Sequence, residues 1–283
     1  MFYVFTVSFI TRSIFGLFEL FLSLTLRENA NKEKVYNHII RLARAIVFPF
    51  KEMSRFRSIV GSLNWLAINA LPEISFRVMI LSTKFGSAEV HDMKKAVKLL
   101  NAVRLMDSTI NFPAMGRTGT LRSFGDAAFG NIPDKNPEKD KVYSTVGKLV
   151  CLEGEGGATS LISWSSKKSV RVTKSSLAAE IMATTEACNE GHWVRHILEQ
   201  LLWLMLFKLP LAVVITDSES LSAASRTTNN IQDKRSRIEV AQLREDIEQK
   251  ELELLWVPKG KQVADVLTME VSSNLVEIFI IAC

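Results

Sequence analysis

The chain has 283 residues, enough for one or two domains with sizeable cores. Apolar residues make up 47% of it, which excludes an intrinsically disordered chain, and a formal net charge of +5 is compatible with a nucleic-acid partner without requiring one. The three cysteines, Cys151, Cys188 and Cys283, are odd in number and widely spaced. They match neither a disulfide framework nor a zinc-binding spacing, so they read as reduced thiols of an intracellular, cytoplasmic protein.

Residues 1–26 are aromatic and aliphatic but are interrupted by Arg12 and Glu19. No basic residues precede the run and no small-residue cleavage site ends it, so a secretory signal is not expected. A membrane anchor is disfavoured by the two charges, though membrane attachment through this apolar segment stays open as an alternative. A buried or poorly defined helix, or sequence foreign to the rest of the chain, is expected instead. Lys32 to Val47 places Val35, Ile39, Leu42, Ala43, Ile46 and Val47 at helical spacing, and Pro49 ends that helix. Ser54 is expected to cap a second helix whose inner face is Phe56, Ile59, Val60, Leu63 and Ala67. Pro72 breaks it, and a third helix is expected from about Glu73 to Lys84. A fourth opens at Ser87 with Met93, Ala96, Val97, Leu100 and Val103 as its stripe. Lys94, Lys95 and Lys98 on its other side read as a solvated face, with contact to phosphates as the alternative.

From Asp107 to Thr120 the composition shifts to Pro, Gly, Ser and Thr, which marks a domain boundary. Beyond it the periodicity becomes that of strands. Thr120 to Phe124 is expected as a strand ending at Asp126, then a polar loop from Asn131 to Lys141, then a strand from Tyr143 to Leu152. Glu153 to Ala158 is Gly-rich but lacks the Gly-Lys-Ser ending of a phosphate loop and leads into a strand, Thr159 to Trp164, so it reads as a hairpin turn. Ser175 or Ser176 caps a long helix to about Cys188, with a second helix after it from Gly191 to Leu204. Leu211 to Thr216 is an apolar run of buried-strand type ending at Asp217. A short helix from Ser218 to Arg226, a charged helix from Asp233 to Lys250 with Ile238, Leu243 and Ile247 inward, a strand from Glu251 to Val257, a turn from Pro258 to Gln262 and a helix opening at Val263 complete the order. Three consecutive strands and then helix-linked strands predict an α/β fold, a mixed five-stranded sheet with flanking helices behind a mostly helical N-terminal region.

Four carboxylates stand at informative places in that order. Asp126 and Asp217 end strands, Glu180 lies early on the long helix, and Asp265 lies on the last. Gathered at one site they would repel unless cations neutralised them, and hard oxygen ligands suit Mg2+ or Mn2+. Two such ions about 4 Å apart form the clamp known for phosphodiester hydrolysis. Singly, each residue also fits a turn, a cap or a solvated helix face, so the ordered set carries the reading. Lys167, Lys168, Arg171 and Lys174 form a basic run between the third strand and the Glu180 helix, open either to solvent or to nucleic-acid phosphates. Lys259 and Lys261 precede Asp265 and could act similarly. His192 and His196 are four apart on a helix, but no third ligand accompanies them in sequence, so they are not expected to bind metal.

The ordered segments DAAF from Asp126, WSSKK from Trp164, SSLAAEIMATTEAC around Glu180, WVRHILEQL from Trp193, ITDSES around Asp217 and WVPKGKQVADVLT ending past Asp265 resemble the ribonuclease H region of copia-type retrotransposon Pol polyproteins. Upstream, Phe56 to Phe85 and the helix to Leu105 resemble the reverse-transcriptase segment just after the polymerase palm. The resemblance implies an unmatched region over 1–54, a post-palm helical segment over 55–118, a ribonuclease H-like domain over 119–269 and a C-terminal tail over 270–283. It also implies two-metal cleavage of RNA in an RNA–DNA hybrid, with Asp126, Glu180, Asp217 and Asp265 as catalytic metal ligands, and a neighbouring polymerase part of the polyprotein as a further partner. Recognition would rest on the shape and backbone of the hybrid. No Asp-Asp pair of the palm type is present, so DNA synthesis by this chain is not expected. Ala178 and Ala179 stand where the family has an acidic residue before the helix glutamate, which keeps a non-catalytic nucleic-acid-binding remnant as the alternative.

Overall fold

The computed structural model describes residues 51–116, 118–134, 141–202, 212–227 and 231–270. The apolar segment 1–26, the helix expected over Lys32 to Val47 and nearly all of the C-terminal tail lie outside the described residues. The chain divides into two compact units, Met1–Phe56 and Arg57–Cys283, and the second holds the sheet. Among the described residues no helix is long and apolar enough to cross a membrane.

Helix α1 (residues 51–69) is already formed at residue 51, so Ser54 lies inside it and not at its cap. Lys51, Glu52 and Met53 are good helix formers, and nothing in them stops the helix from starting early. Its buried stripe includes Val60, Leu63 and Ala67, as the spacing predicts. Pro72–Ile74 is a single 3-10 turn that leads into α2 (Ser75–Ser82). In α3 (Val90–Val103) the start is not Ser87: the Glu89 backbone N–H donates to the Asp92 carboxylate at 3.0 Å, and Asp92 is itself buried. That rotates the stripe to Asp92, Ala96 and Leu99 and leaves Val97 exposed, a correction to the expected face. Lys94, Lys95 and Lys98 are not among the buried residues of α3, as a solvated face requires. This helical segment packs on the sheet: the Trp164 indole N–H donates to the Ala67 carbonyl at 2.7 Å.

The sheet has five strands in the order β3-β2-β1-β4-β5. β1 (Gly119–Pro133), β2 (Val142–Gly154) and β3 (Thr159–Lys168) form an antiparallel meander, and β4 (Ala212–Thr216) and β5 (Leu252–Trp256) add in parallel to β1. The mixed sheet expected from the sequence is therefore present. Its strands are longer than expected. β1 does not end at Asp126; it continues beside β2 to Pro133, with an irregularity between Ala128 and Ile132. Only its pairing with β4 stops early, at Phe124 opposite Ile215. β3 likewise runs on through Lys167 and Lys168, because β2 offers partners as far as Thr145.

Helix α4 (Ser176–Leu202) is one continuous helix where two were expected. Gly191, the expected break, is buried within it, and a Cβ there would collide with the Ser123 hydroxyl of β1. The glycine costs about 1 kcal/mol of helix propensity, which close packing on the sheet offsets. Two buried layers sandwich the sheet. Val213 and Ile215 join Phe124, Leu149, Leu161, Val266 and Leu267 on one face. Ala212 and Val214 point the other way, to Ile181, Leu221, Val240 and Leu243. β4 is thus buried on both faces, which is why its sequence is apolar from Ala212 to Ile215. Those last residues come from α4, from α5 (Glu219–Arg226), capped by the Ser218 hydroxyl, and from α6 (Lys234–Glu248), capped by the Asp233 carboxylate. On α6, Leu243 is buried and Ile247 partly so, but Ile238 is 60% exposed and Val240 takes the inward place expected of it.

Candidate active site

The register fixes two of the carboxylates. Phe124 lies opposite Ile215 across the parallel pair, so Asp126 and Asp217, each two residues further on, emerge at the same end of neighbouring strands. β4 stops there while β1 continues, which opens a cleft at the carboxyl end of β4. The third carboxylate comes from above. The Ser175 hydroxyl caps α4 by accepting the Ala178 N–H at 3.1 Å, and Glu180 comes two residues later. Gly125 lets α4 approach closely: a Cβ there would lie 2.7 Å from the Ala183 carbonyl oxygen, one turn after Glu180.

Carboxylate oxygens of Asp126, Glu180 and Asp217 lie within 4.8 Å of one another. Asp265 is outside that trio but lines the same cleft, of about 720 Å3, with Ser218, Trp256, Lys259 and Met269. It sits on a 3-10 turn, Val263–Leu267, and not on the start of an α-helix. All four expected carboxylates therefore face one cleft, three of them as a tight group.

The electrostatics are those of crowded, uncompensated acids. Burial, then the charges of Asp126 and Asp217, push Glu180 up to about 9. Burial, then the same two aspartates, push Asp265 up to about 7. Asp126 rises to about 6, again mainly through burial, against a hydrogen bond from the Thr268 hydroxyl that lowers it. Asp217 is raised by burial, with Lys259 opposing. Buried oxygens of Glu180 and Asp265 have no hydrogen-bond partner among the described residues. An all-oxygen, anionic set with unpartnered lone pairs fits a hard divalent cation.

These shifts make stability depend on pH. Between the unfolded value of 4.5 and the folded value of about 9, native Glu180 holds a proton that the unfolded chain has released. Stability without metal must then fall as pH rises through that window. Asp126 and Asp265 act in the same sense over the lower part of it. The expected loss is on the order of a few kcal/mol, and Mg2+ should restore more of it the higher the pH. Thermal unfolding with chelator and with Mg2+ at several pH values checks this; a metal-free Tm that does not change from pH 5 to 8 would count against it.

Several residues that shape the site carried no sequence signal of their own. The Gln262 side-chain amide, fully buried, donates to the Gly125 carbonyl at 3.0 Å and tethers the Asp265 turn to β1. The Trp256 indole donates to the Asp217 carbonyl at 3.0 Å. Thr268, three residues past Asp265, reaches Asp126. The i, i+3 spacing of Asp265 and Thr268 is the only hint of it in the sequence.

The four basic residues do not form one loop. Lys167 and Lys168 belong to β3, and the Lys168 ammonium lies 3.6 Å from the centroid of the Tyr143 ring. Arg171 is held by Glu239 of α6 at 2.5 and 2.8 Å. Lys174 is largely exposed, 3.8 Å from Asp233. Lys259, given less weight in the sequence, is the cation that lines the carboxylate cleft among the described residues. Arg171→Ala is expected to cost about 1–2 kcal/mol, because it leaves part-buried Glu239 without its charged partner. Lys167→Ala should cost less than about 0.5 kcal/mol, as surface changes do. Urea unfolding of the two variants separates a structural arginine from an exposed surface lysine.

A second cleft, of about 590 Å3, lies between the helical segment and β3, lined by Ile68, Ile110, Phe112, Leu161 and Trp164 among others. Among the described residues its lining is apolar and neutral-polar.

No protein-family model matches the chain. Two curated proteins of Arabidopsis thaliana do align with it. The retrovirus-related Pol polyprotein from transposon RE1 is 29% identical over 232 residues, covering 80% of this chain and 14% of its own length. The one from transposon RE2 is 30% identical over 151 residues, covering 52% of this chain and 9% of its own. The homologues of this chain are copia-type transposon Pol polyproteins. It spans a small part of the polyproteins it matches. Among solved structures, the N-terminal RNase H domain of a Mycobacterium tuberculosis protein, fused to maltose-binding protein, aligns with 56% of this chain and 97% of its own at 15% identity and a TM-score of 0.37. That likeness is too distant to bear on function, which rests on the site itself.

Proposed function

We propose that residues 119–269 are a ribonuclease H-like domain that hydrolyses the RNA strand of an RNA–DNA hybrid with two Mg2+ or Mn2+ ions, and that the helical segment before it corresponds to the post-palm part of a reverse transcriptase. The observation that carries this reading is the convergence of Asp126, Glu180 and Asp217 on one cleft that Asp265 also lines.

Asp126, Glu180 and Asp217 would hold the cations, with Asp265 completing the ring. A bound divalent ion supplies the Lewis acidity that activates water and stabilises the leaving oxygen. The protein's own groups do the rest. Thr268 fixes the rotamer of Asp126. The indole of Trp256 holds the β4 end, and so the backbone that presents Asp217. Lys259 offers a positive charge to a scissile or neighbouring phosphate at the open side of the cleft. Exposed Lys167 and Lys174 would add contacts to the backbone of the hybrid, which weaken with salt. With no Asp-Asp pair of the palm type, the chain would hydrolyse nucleic acid and not synthesise it.

The test is hydrolysis of a labelled hybrid with Mg2+ by the parent chain and by Asp217→Asn. Cleavage confined to the RNA strand and lowered on the order of 100-fold in the variant is expected. No cleavage by the parent, or equal cleavage by both, would reject the proposal in favour of a binding remnant.

A further inference from the structure

We propose a second metal site, of the zinc class, formed by Cys188 and His192 of α4 and Asp246 of α6. It is separate from the carboxylate cleft and acts as a clamp between the two helices.

Cys188 and His192 are four residues apart and share one face of α4, while Asp246 lies in the last turn of α6. The Asp246 Oδ2 atom stands 3.9 Å from the Cys188 thiol sulfur and 3.8 Å from His192 Nε2. The three donor atoms all lie within 4.8 Å of one another. Zinc–ligand bonds of about 2.3 Å to sulfur and about 2.0–2.1 Å to nitrogen or oxygen place tetrahedral neighbours roughly 3.3–3.5 Å apart. The two distances to Asp246 thus stand a few tenths of an ångström outside the ideal, and the Cys188–His192 pair, within 4.8 Å, closes by side-chain adjustment. The other carboxylate oxygen is already occupied: Gln242, one turn earlier, donates its amide to Asp246 Oδ1 at 2.8 Å. Such an outer hydrogen bond is how proteins aim a ligating carboxylate.

Without a metal, the Asp246 carboxylate has the Cys188 thiol, the Gln242 amide and His192 as its partners. Cys188 and Asp246 are both buried, and no lysine or arginine pairs with Asp246 among the described residues. It is not built as a cysteine nucleophile. In that arrangement the imidazole stands between thiol and carboxylate; here thiol and imidazole both approach the same carboxylate oxygen, Asp246 Oδ2. Burial, then the neighbouring Asp246, push the Cys188 thiol up to about 12, the opposite of activation. A cation at the centre would meet all three needs at once, and His192, one-third exposed, leaves a side open for a water as fourth ligand. Sulfur with imidazole selects zinc-like metals over the hard ions of the carboxylate cleft. Cys188 lies eight residues beyond Glu180 on α4, about 12 Å along the axis, so the two sites cannot share an ion. His196, the other half of the histidine pair that the sequence offered, is not part of the cluster.

The experiment uses the full chain, stripped with chelator under reducing conditions and titrated with Co2+ in excess Mg2+, so that the carboxylate cleft is filled. A thiolate-to-cobalt charge-transfer band saturating at one equivalent, displaced by Zn2+, is expected. It should survive in Cys151→Ala and in Cys283→Ala and be lost in Cys188→Ala and in His192→Ala, with far-ultraviolet circular dichroism confirming folded protein. Should Cys188→Ala fail to fold, His192→Ala, at a part-exposed position, decides alone. No band in the parent, or a band that persists in folded Cys188→Ala or His192→Ala, would overturn the proposal. Hybrid cleavage is no part of the readout, so the two sites stand or fall separately.

Discussion

Glu180→Gln is expected to lower hybrid cleavage by about 1,000-fold while making the metal-free protein more stable at pH 8. The two effects have one cause. Glu180 is driven up to about 9 by burial and by the charges of Asp126 and Asp217, so at pH 8 folding must take up a proton that the unfolded chain has released, and that uptake costs stability. Glutamine has nearly the same shape and needs no proton. Its advantage should vanish below about pH 4, where glutamate is protonated in the folded and the unfolded chain alike. With Mg2+ present the order should reverse, because only the parent offers the third charged oxygen ligand of the tight group. Unfolding curves of parent and variant at pH 4 and pH 8, each with chelator or Mg2+, give the comparison. If the variant is the less stable one without metal at pH 8, Glu180 makes some other compensating contact and the metal reading loses its main support.

The expectations that held were those written in local chemistry. Ser218 and Asp233 announce α5 and α6 because a hydroxyl or carboxylate before an amphipathic run satisfies the free N–H groups of the first turn. β4 announces itself because a strand covered on both faces reads as a run of apolar residues, here Ala212 to Ile215. The set of four carboxylates was legible as a set, since strand ends and helix starts are where such a sheet gathers side chains. The misplaced elements depended on partners distant in sequence. Nothing in Asn131 to Pro133 says that β1 continues; the answer lies in Tyr143 and Val142 across the hairpin. Nothing near Gly191 says that α4 runs straight on; the answer is Ser123, 68 residues earlier in the chain. Ile238 has the right spacing for a core position, but the docking angle of α6 gives that place to Val240. Arg171 looks like a phosphate-binding residue until Glu239 is brought beside it. The Cys188–His192–Asp246 cluster was hidden for the same reason, its third ligand arriving from another helix.

Gly125→Val is expected to damage fold and site together. An ideal Cβ at residue 125 would fall 2.7 Å from the Ala183 carbonyl oxygen and 2.9 Å from the Thr184 Cα. Both are helix backbone, which cannot rotate away as a side chain can, so α4 must lift from β1. Overpacking of this kind costs about 3 kcal/mol for alanine and more for a branched side chain. The lift acts one turn from Glu180 and one residue from Asp126, and it widens the gap across which those carboxylates meet. A displacement of about 1 Å at a catalytic group costs on the order of 100-fold in rate, so Gly125→Ala should lose activity even at temperatures where it remains folded. Gly61→Ala is the control: it lies on the exposed side of α1 with nothing within 4 Å of a new Cβ, and the helix should gain about 0.5–1 kcal/mol from it. Urea midpoints and cleavage rates of the three variants test the coupling. A Gly125→Ala chain as stable and as active as Gly61→Ala would mean that α4 does not need this close approach to hold Glu180 over Asp126.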